Sequence, residues 1–320
     1  MKARAFICGV SGQDGSYLAK FLLGKGYDVW GSSRDVQGRT LSNLIALKIE
    51  TKVNLLSMVP EDFRSVLVAL RKAKPTEIYY LAGQSSVGLS FDQPAETIQS
   101  FVLGTLNMLE ACRLLDYPVR LYHAGSSECF GDVNGHPANE KTPFHPKSPY
   151  AVAKASAYWL IDNYRDAYSL YACTGILFNH ESPLRPTRFV TQKIISAAGR
   201  IAGGSKEKLK LGRLDIARDW GWSPEYVEAM WLMLQQDKPD DFVVATGQTN
   251  TLENFVSEAF LYHDLNWKDY VTQDKEFFRP SEILISRADP SKAERILGWK
   301  AKIFMKEVVA NMTIGATHFI

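Results

Sequence analysis

The sequence predicts an α/β fold: a Rossmann-type, doubly wound parallel sheet with a smaller C-terminal substrate-binding lobe. Three observations carry that prediction. Short apolar runs alternate with amphipathic helical stretches as far as Phe178, the spacing of β-α-β units. The first run ends in a glycine-rich turn. Small and polar residues cluster after later runs, at the strand ends where such sheets bind ligands. Residues 1–178 are expected to form most of the main domain, with 213–246 returning to it. Residues 179–212 and 247–320 should supply most of the smaller lobe.

Bulk composition excludes several classes. With 320 residues the chain can bury a large core. Net charge is +2, and 37 basic residues are interspersed with 35 acidic ones, so neither a nucleic-acid partner nor a membrane surface is expected. Cys8, Cys112, Cys129 and Cys173 are scattered without a Cys-x-x-Cys pair, the usage of buried thiols in a reducing compartment. Residues 1–4 run into a strand without a signal-peptide layout, and no apolar run has the length of a membrane span, which implies a cytoplasmic protein. The six histidines show no ligand spacing, so no metal is expected.

In chain order, residues 3–8 read as a strand and Gly9-Val10-Ser11-Gly12-Gln13-Asp14-Gly15 as a tight turn. A helix follows with Tyr17, Leu18, Phe21, Leu22 and Leu23 as its apolar stripe. Gly-x-x-Gly-x-x-Gly between strand and helix lets backbone N–H groups and the helix dipole hold a diphosphate, so a dinucleotide is expected there. The second strand, 27–31, ends in Ser32-Ser33-Arg34-Asp35. Hydroxyls and an arginine suit a 2′-phosphate, favouring NADP over NAD; the alternative is an Arg34 paired locally at the surface. A third strand (52–56), a helix (61–72) and a fourth strand (77–82) lead to Gly83-Gln84-Ser85-Ser86, a small-residue turn at the ligand edge.

A long helix over 94–115, with Leu103, Leu106, Leu109, Ala111 and Cys112 inward, precedes the fifth strand (120–123). That strand ends in Ala124-Gly125-Ser126-Ser127-Glu128-Cys129-Phe130-Gly131. Pro149 then opens a helix that sets Tyr150 and Lys154 one turn apart on one face. A lysine ammonium beside a phenol favours the phenolate, so Tyr150 could act as a base nearer neutral pH. The same spacing also serves packing and solubility on ordinary helices. The sixth strand, 171–178, is followed by a polar, proline-closed loop over 179–186, in which His180 either serves the site or faces solvent. Beyond it come a helix (190–202), a strand-like 209–212, a loop at 218–222 and a helix (224–235). A strand at 242–245 could join the main sheet, and short helices open at Asp289 and near Lys306. Tyr226, Met230, Trp231 and Leu234 read as core.

Several blocks together resemble the extended short-chain dehydrogenase/reductases, and within them the GDP-mannose 4,6-dehydratases. They are Gly9-x-x-Gly12-Gln13-Asp14-Gly15-Ser16-Tyr17-Leu18, Ser126-Ser127-Glu128, Ser148-Pro149-Tyr150-x-x-x-Lys154, Phe178-Asn179-His180-Glu181-Ser182-Pro183, Arg218-Asp219-Trp220-Gly221 and Tyr226-Val227-Glu228-Ala229-Met230-Trp231. The likeness spans roughly residues 3–312. It implies a lyase with an internal redox step: Tyr150 and Lys154 serve oxidation at C4, Glu128 removes the C5 proton, and Ser126 assists loss of the C6 hydroxyl or polarises the ketone. The resemblance further implies cofactor contacts at Gly9, Ser11, Gly12, Gln13, Asp14, Arg34, Leu81, Ala82, Gln84, Ser85, Lys154, His180 and Arg185. A GDP-sugar would be held by Ser86, Ser127, Asn179, Lys193, Arg218, Arg279 and Glu282, with Arg218 otherwise expected to pair with Asp219. A homodimer or homotetramer is implied too.

Four departures from the family pattern bear on cofactor preference and on the sugar. Asp35 follows Arg34 where two arginines are usual, Val59 replaces an acid near the adenine, Phe101 stands where a small polar residue or acid is usual, and Ser126 replaces threonine. A nucleotide-sugar 4-epimerase or decarboxylase, or a dehydratase of another GDP-sugar such as a GDP-heptose, is the alternative.

Overall fold

The computed structural model describes residues 2–38 and 41–318. β1 (Arg4–Cys8) runs through the glycine turn into α1 (Gln13–Gly24), and β2 (Asp28–Ser33) returns parallel beside it. α2 (Ser42–Ala46) precedes β3 (Asn54–Ser57). α3 (Phe63–Ala73) begins two residues later than periodicity suggests, because the Asp62 side chain accepts from the N–H groups of Arg64 and Ser65 and so caps it. β4 (Glu77–Tyr80) is followed by α4 (Val87–Asp92) and α5 (Pro94–Ile98). Then come a π-helical turn, Gln99–Leu103, and α6 (Gly104–Arg113). β5 (Arg120–Ala124), α7 (Pro149–Tyr168) and β6 (Tyr171–Leu177) complete the first half.

The second half contributes β7 (Asn179–Glu181), α8 (Val190–Ala202), β8 (Leu209–Leu211), β9 (Ala217–Trp222), α9 (Ser223–Leu234) and β10 (Phe242–Val244). β11 (Thr249–Thr251), α10 (Leu252–Leu261), β12 (Val271–Gln273), α11 (Ser291–Leu297) and α12 (Met305–His318) follow. The main sheet is parallel throughout, in the order β10-β6-β5-β4-β1-β2-β3. The order in which strands are added reverses between β1 and β4, which opens the ligand crevice of a doubly wound fold at their carboxyl ends. β7 and β9 pair parallel, and β11 adds antiparallel to β9.

Helices cover both faces of the sheet, so its strands read as continuous apolar runs. Ile7, Leu18, Leu22, Tyr226, Met230 and Phe242 share one face, and Phe6, Ile78, Leu109, Leu121 and Ile161 the other. A separate core of Ile194, Trp220, Phe255, Phe260, Val308 and Met312 belongs to the smaller lobe. Within 247–320, Ala293, Leu297, Trp299 and Ala301 instead pack into the core under α9, so the C-terminal segment is divided between the two bodies.

Several expectations need correction. The polar stretches at 179–186 and 218–222 were expected as loops, yet they contain β7 and β9, whose backbones are satisfied by pairing with each other and, for the first half of β9, with β11. Leu103, expected inward on a regular helix, is 40% exposed, because the π turn inserts an extra residue and rephases the helix. Periodicity did not reveal α2, α4, α10, β11 or β12. All four cysteines are buried and unpaired with one another. Among the described residues, no helix is long and apolar enough to cross a membrane, and no group of side chains has a metal-ligand arrangement.

Arg165 of α7 forms two 2.8 Å hydrogen bonds to the Asp241 carboxylate, which also accepts from the Thr174 N–H of β6. The pair ties the helix carrying Tyr150 to β6 and to the edge strand. Arg165→Ala leaves a buried carboxylate without its cation and is expected to destabilise the fold by about 3 kcal/mol. Urea unfolding measures this, and an unchanged midpoint would show that the pair does not brace the sheet.

Candidate active site

The glycine turn is built by close packing. Gly9 takes φ +85°, and a Cβ there would lie 3.1 Å from the Ala82 backbone, while one on Gly15 would lie 2.3 Å from the Gly9 carbonyl oxygen. The turn thus presses against Leu81 and Ala82 at the end of β4. Gly12 is the N-cap of α1 and offers no side chain to the first helical turn. Backbone close to a ligand and uncapped N–H groups suit a diphosphate.

Gln13 and Asp14 send their side chains inward rather than toward the crevice. Gln13 donates to the His180 carbonyl at 3.1 Å and accepts from Ser182 Oγ at 2.8 Å. Asp14 accepts from His180 Nε2 at 2.8 Å, from Ser223 Oγ at 2.8 Å and from Gln13 at 3.0 Å. The His180 ring is 2.8 Å from that carboxylate on one side and 2.7 Å from the Phe178 carbonyl through Nδ1 on the other. It stacks 4.5 Å from Tyr226. His180 is therefore a buried clamp, and the solvent-facing alternative is excluded. Burial works against the imidazolium, but the Asp14 carboxylate outweighs it and raises the His180 pKa. For Asp14, burial acts upward, and His180 with the surrounding hydrogen bonds overcomes it and holds the carboxyl well below its usual range. Ser223, which the sequence reading missed, showed only as a serine before the helix-opening Pro224.

Arg34 follows β2 with its side chain half exposed, 3.2 Å from Glu61 and 3.8 Å from Glu96, so its ion pairs reach across to neighbouring elements. Gln84 folds back on its own turn, donating to the Ser86 carbonyl at 2.9 Å, and Ser85 is exposed. Ser86 caps α4 through an N–H of Leu89 at 3.3 Å.

Four side chains meet where β5 ends and α7 begins. Ser148 caps α7 by accepting from Ala151 N–H at 3.1 Å, and Pro149 occupies the first turn where no N–H is needed. Lys154 Nζ donates to the Ala124 carbonyl at 2.7 Å. The Ser126 oxygen accepts from Glu128 N–H at 3.3 Å, starting the 3-10 turn Ser127–Phe130 that carries Glu128; Ser127 is buried within it. Burial pushes the Tyr150 phenol well up; the Ser126 hydroxyl acts downward, Cys129 and Glu128 upward and Arg185 downward. Tyr150 therefore lies within electrostatic reach of Glu128. The expectation that Lys154 sets the phenol's acidity is not met. Its Nζ lies 6.0 Å from the Tyr150 ring centroid, its hydrogen bond goes to the strand, and burial pulls its own pKa down to about 8.

Arg218, on β9 and only 4% exposed, bonds Glu282 at 3.0 Å, and Arg279 reaches the same oxygen at 3.4 Å. Its expected pairing with Asp219 does not occur, because neighbours on a strand face opposite ways. Asp219 instead accepts from the N–H groups of Thr246 and Gly247 at 3.0 and 2.8 Å. The Glu128 charge acts on Arg218, which links this cluster to the Tyr150 end. Lys193 donates to the Lys210 carbonyl at 2.8 Å and lies 4.1 Å from the Phe277 ring centroid. Arg185 lies 3.1 Å from the buried Glu181 and over the Phe189 ring. Asn179 is half-buried at the start of β7, beside Trp220.

The Asp14–His180 clamp has a pH signature. His180, with its pKa raised, adds stability that is present below its ordinary value of about 6.5 and lost as pH rises through the raised value. Without added nucleotide, Asp14→Asn is expected to cost about 2 kcal/mol near pH 6 and to flatten the decline in stability above it, read by urea unfolding across pH. An Asn variant with the parent's pH dependence would refute the clamp.

Comparison with known proteins shows the family to which this fold belongs. Residues 6–312 match the family model described as GDP-mannose 4,6 dehydratase. GDP-mannose 4,6 dehydratase 2 of Arabidopsis thaliana is 47% identical over 96% of this chain and 85% of its own length. The dTDP-glucose 4,6-dehydratase DesIV of Streptomyces venezuelae, solved with NAD and TYD bound, superposes with a TM-score of 0.87 at 20% identity, covering 98% of this chain and 97% of that one. RMD from Pseudomonas aeruginosa, solved with NADPH, gives 0.82 at 22% identity and covers both chains completely. Through the match over nearly its whole length and this close relative, the chain belongs to the GDP-mannose 4,6-dehydratase family.

Proposed function

We propose that this chain dehydrates GDP-mannose to GDP-4-keto-6-deoxymannose with a nicotinamide dinucleotide, NADP, retained through the cycle. The observation that carries the reading is the junction of β5 and α7, where Lys154 Nζ bonds the last carbonyl of β5, Glu128 sits on the turn that Ser126 starts, and Glu128 acts on both Tyr150 and the buried Arg218. The turn of Gly9 to Asp14, including Ser11, would hold the diphosphate, Leu81 to Ser85 would line the middle of the dinucleotide, and Arg34 would take the 2′-phosphate. Asp14 and His180 would act by bracing the turn. Solved proteins of this fold carry NAD in one case and NADPH in another, and the hydroxyls and Arg34 after β2 favour the phosphorylated form.

A bound nicotinamide would supply reversible hydride chemistry, taking hydride from C4 and giving it back to C6 as C5 takes up a solvent-derived proton by way of Glu128. Tyr150 takes the C4 hydroxyl proton, its phenolate supported by the Ser126 hydroxyl, while Lys154 stays mostly protonated near neutral pH and orients the ribose. The C4 ketone acidifies C5–H. Glu128 removes that proton, and the C6 hydroxyl leaves as water with a proton delivered through Glu128 or Ser126. Arg218, Arg279 and Lys193 would meet the GDP diphosphate, Glu282 would orient the arginines and the guanine or ribose edge, and Asn179, Ser86 and Ser127 would contact the sugar nucleotide. Arg185, half-buried near Tyr150, would contact the cofactor.

A 4-epimerase needs no C5 base, so Glu128 favours dehydration. Incubation with GDP-mannose and NADP, without reductant, is expected to give the 4-keto-6-deoxy product, and in D2O the product should carry solvent deuterium at C5. Tyr150→Phe is expected to lower kcat by about 10²–10⁴, and Glu128→Gln by a similar factor with loss of the C5 exchange. Finding no product by mass spectrometry, or full exchange in Glu128→Gln, sinks the assignment.

A further inference from the structure

We propose that Phe101 is a positioning residue of this site: its ring face holds the Lys154 ammonium and the same ring packs edge-to-face with Tyr150. Phe101 sits in the π turn Gln99–Leu103, and the rephasing that exposes Leu103 leaves Phe101 only 1% exposed. Lys154 Nζ lies 4.0 Å from its ring centroid, within cation–π range. Its ring centroid is 5.4 Å from that of Tyr150 at 86°, an edge-to-face contact. On its third side the ring presses on Gly83, where a Cβ would lie 2.2 Å from Phe101. One side chain thus touches the turn after β4 and both members of the Tyr-x-x-x-Lys pair.

The contact resolves an electrostatic problem. Lys154 is 6% exposed, and among the described residues no carboxylate lies within ion-pair distance of Nζ. The titratable groups that act on it or are acted on by it are Cys129, Asp14 and His123, with Tyr150 beside it. Of these only Asp14 is anionic at neutral pH, and it is engaged by His180. A ring face stabilises a desolvated ammonium without bringing a carboxylate that would form a competing ion pair. One donor goes to the Ala124 carbonyl. An acid at position 101 would pair with Lys154 and compete for its donors. The role in turnover rests on the dehydratase reading, whereas the contact with Lys154 does not.

The test is an NMR titration of the Lys154 ε-carbon, assigned with Lys154→Met, which needs no turnover. Phe101→Leu keeps an apolar side chain and removes the ring; its Lys154 midpoint is expected to fall by about one pH unit, while Phe101→Tyr keeps the parent value. Pentafluorophenylalanine at position 101 keeps the shape and inverts the ring's charge distribution, so it should lower the midpoint at least as far; it also serves if Phe101→Leu does not fold. With GDP-mannose and NADP, the alkaline limb of kcat should move down with the midpoint in the Leu and fluorinated proteins, with KM changed by less than about twofold. Lys154 midpoints equal to the parent's in both proteins would overturn the proposal. A shifted midpoint with no GDP-mannose turnover by the parent would uphold it and reject the dehydratase reading instead.

Discussion

One hydrogen bond sets the frame of the site: the Lys154 ammonium donating to the last carbonyl of β5. It fixes the start of α7 against the carboxyl edge of the sheet, so that Tyr150 sits beside Ser126 and the Glu128 turn rather than beyond them. Burying an ammonium is costly, and the cost is offset by the carbonyl and the Phe101 face rather than by an ion pair.

A second constraint joins the two bodies. The Asp14–His180 bond, extended by Ser223, Gln13 and Ser182, connects the first helix of the sheet domain to β7 and α9. These residues come from positions 13, 14, 180, 182 and 223, and their network holds the glycine turn without taking its backbone donors. The smaller lobe answers with Arg218 and Arg279 on Glu282, two cations held by one acid with a net positive charge left over. A diphosphate would find two preorganised arginines there, which limits the ordering cost of binding.

The same physics explains why Tyr150 is not poised as a base by its lysine alone. Desolvation raises the phenol strongly, and the groups acting downward on it are Ser126 and Arg185. Ser126 thus acts on the Tyr150 phenol as well as starting the turn that carries Glu128.

The sequence by itself determined the alternation of strand and helix, the glycine turn and the Tyr-x-x-x-Lys face, because these are local: period, cap and turn chemistry lie within a few residues of one another. It also marked Phe101 and Arg218 as worth attention, but not their partners. The strand character of 218–222 and 179–181 was hidden because it depends on distant partners: 220–222 pair with 179–181 some forty residues back, and 217–219 pair with β11. The outward turn of Leu103, the pairing of Arg218 with Glu282 and the lysine's bond to β5 rather than to the tyrosine were likewise decided only in the tertiary structure. Each depends on which groups meet across the crevice, and on how much water is removed when they do.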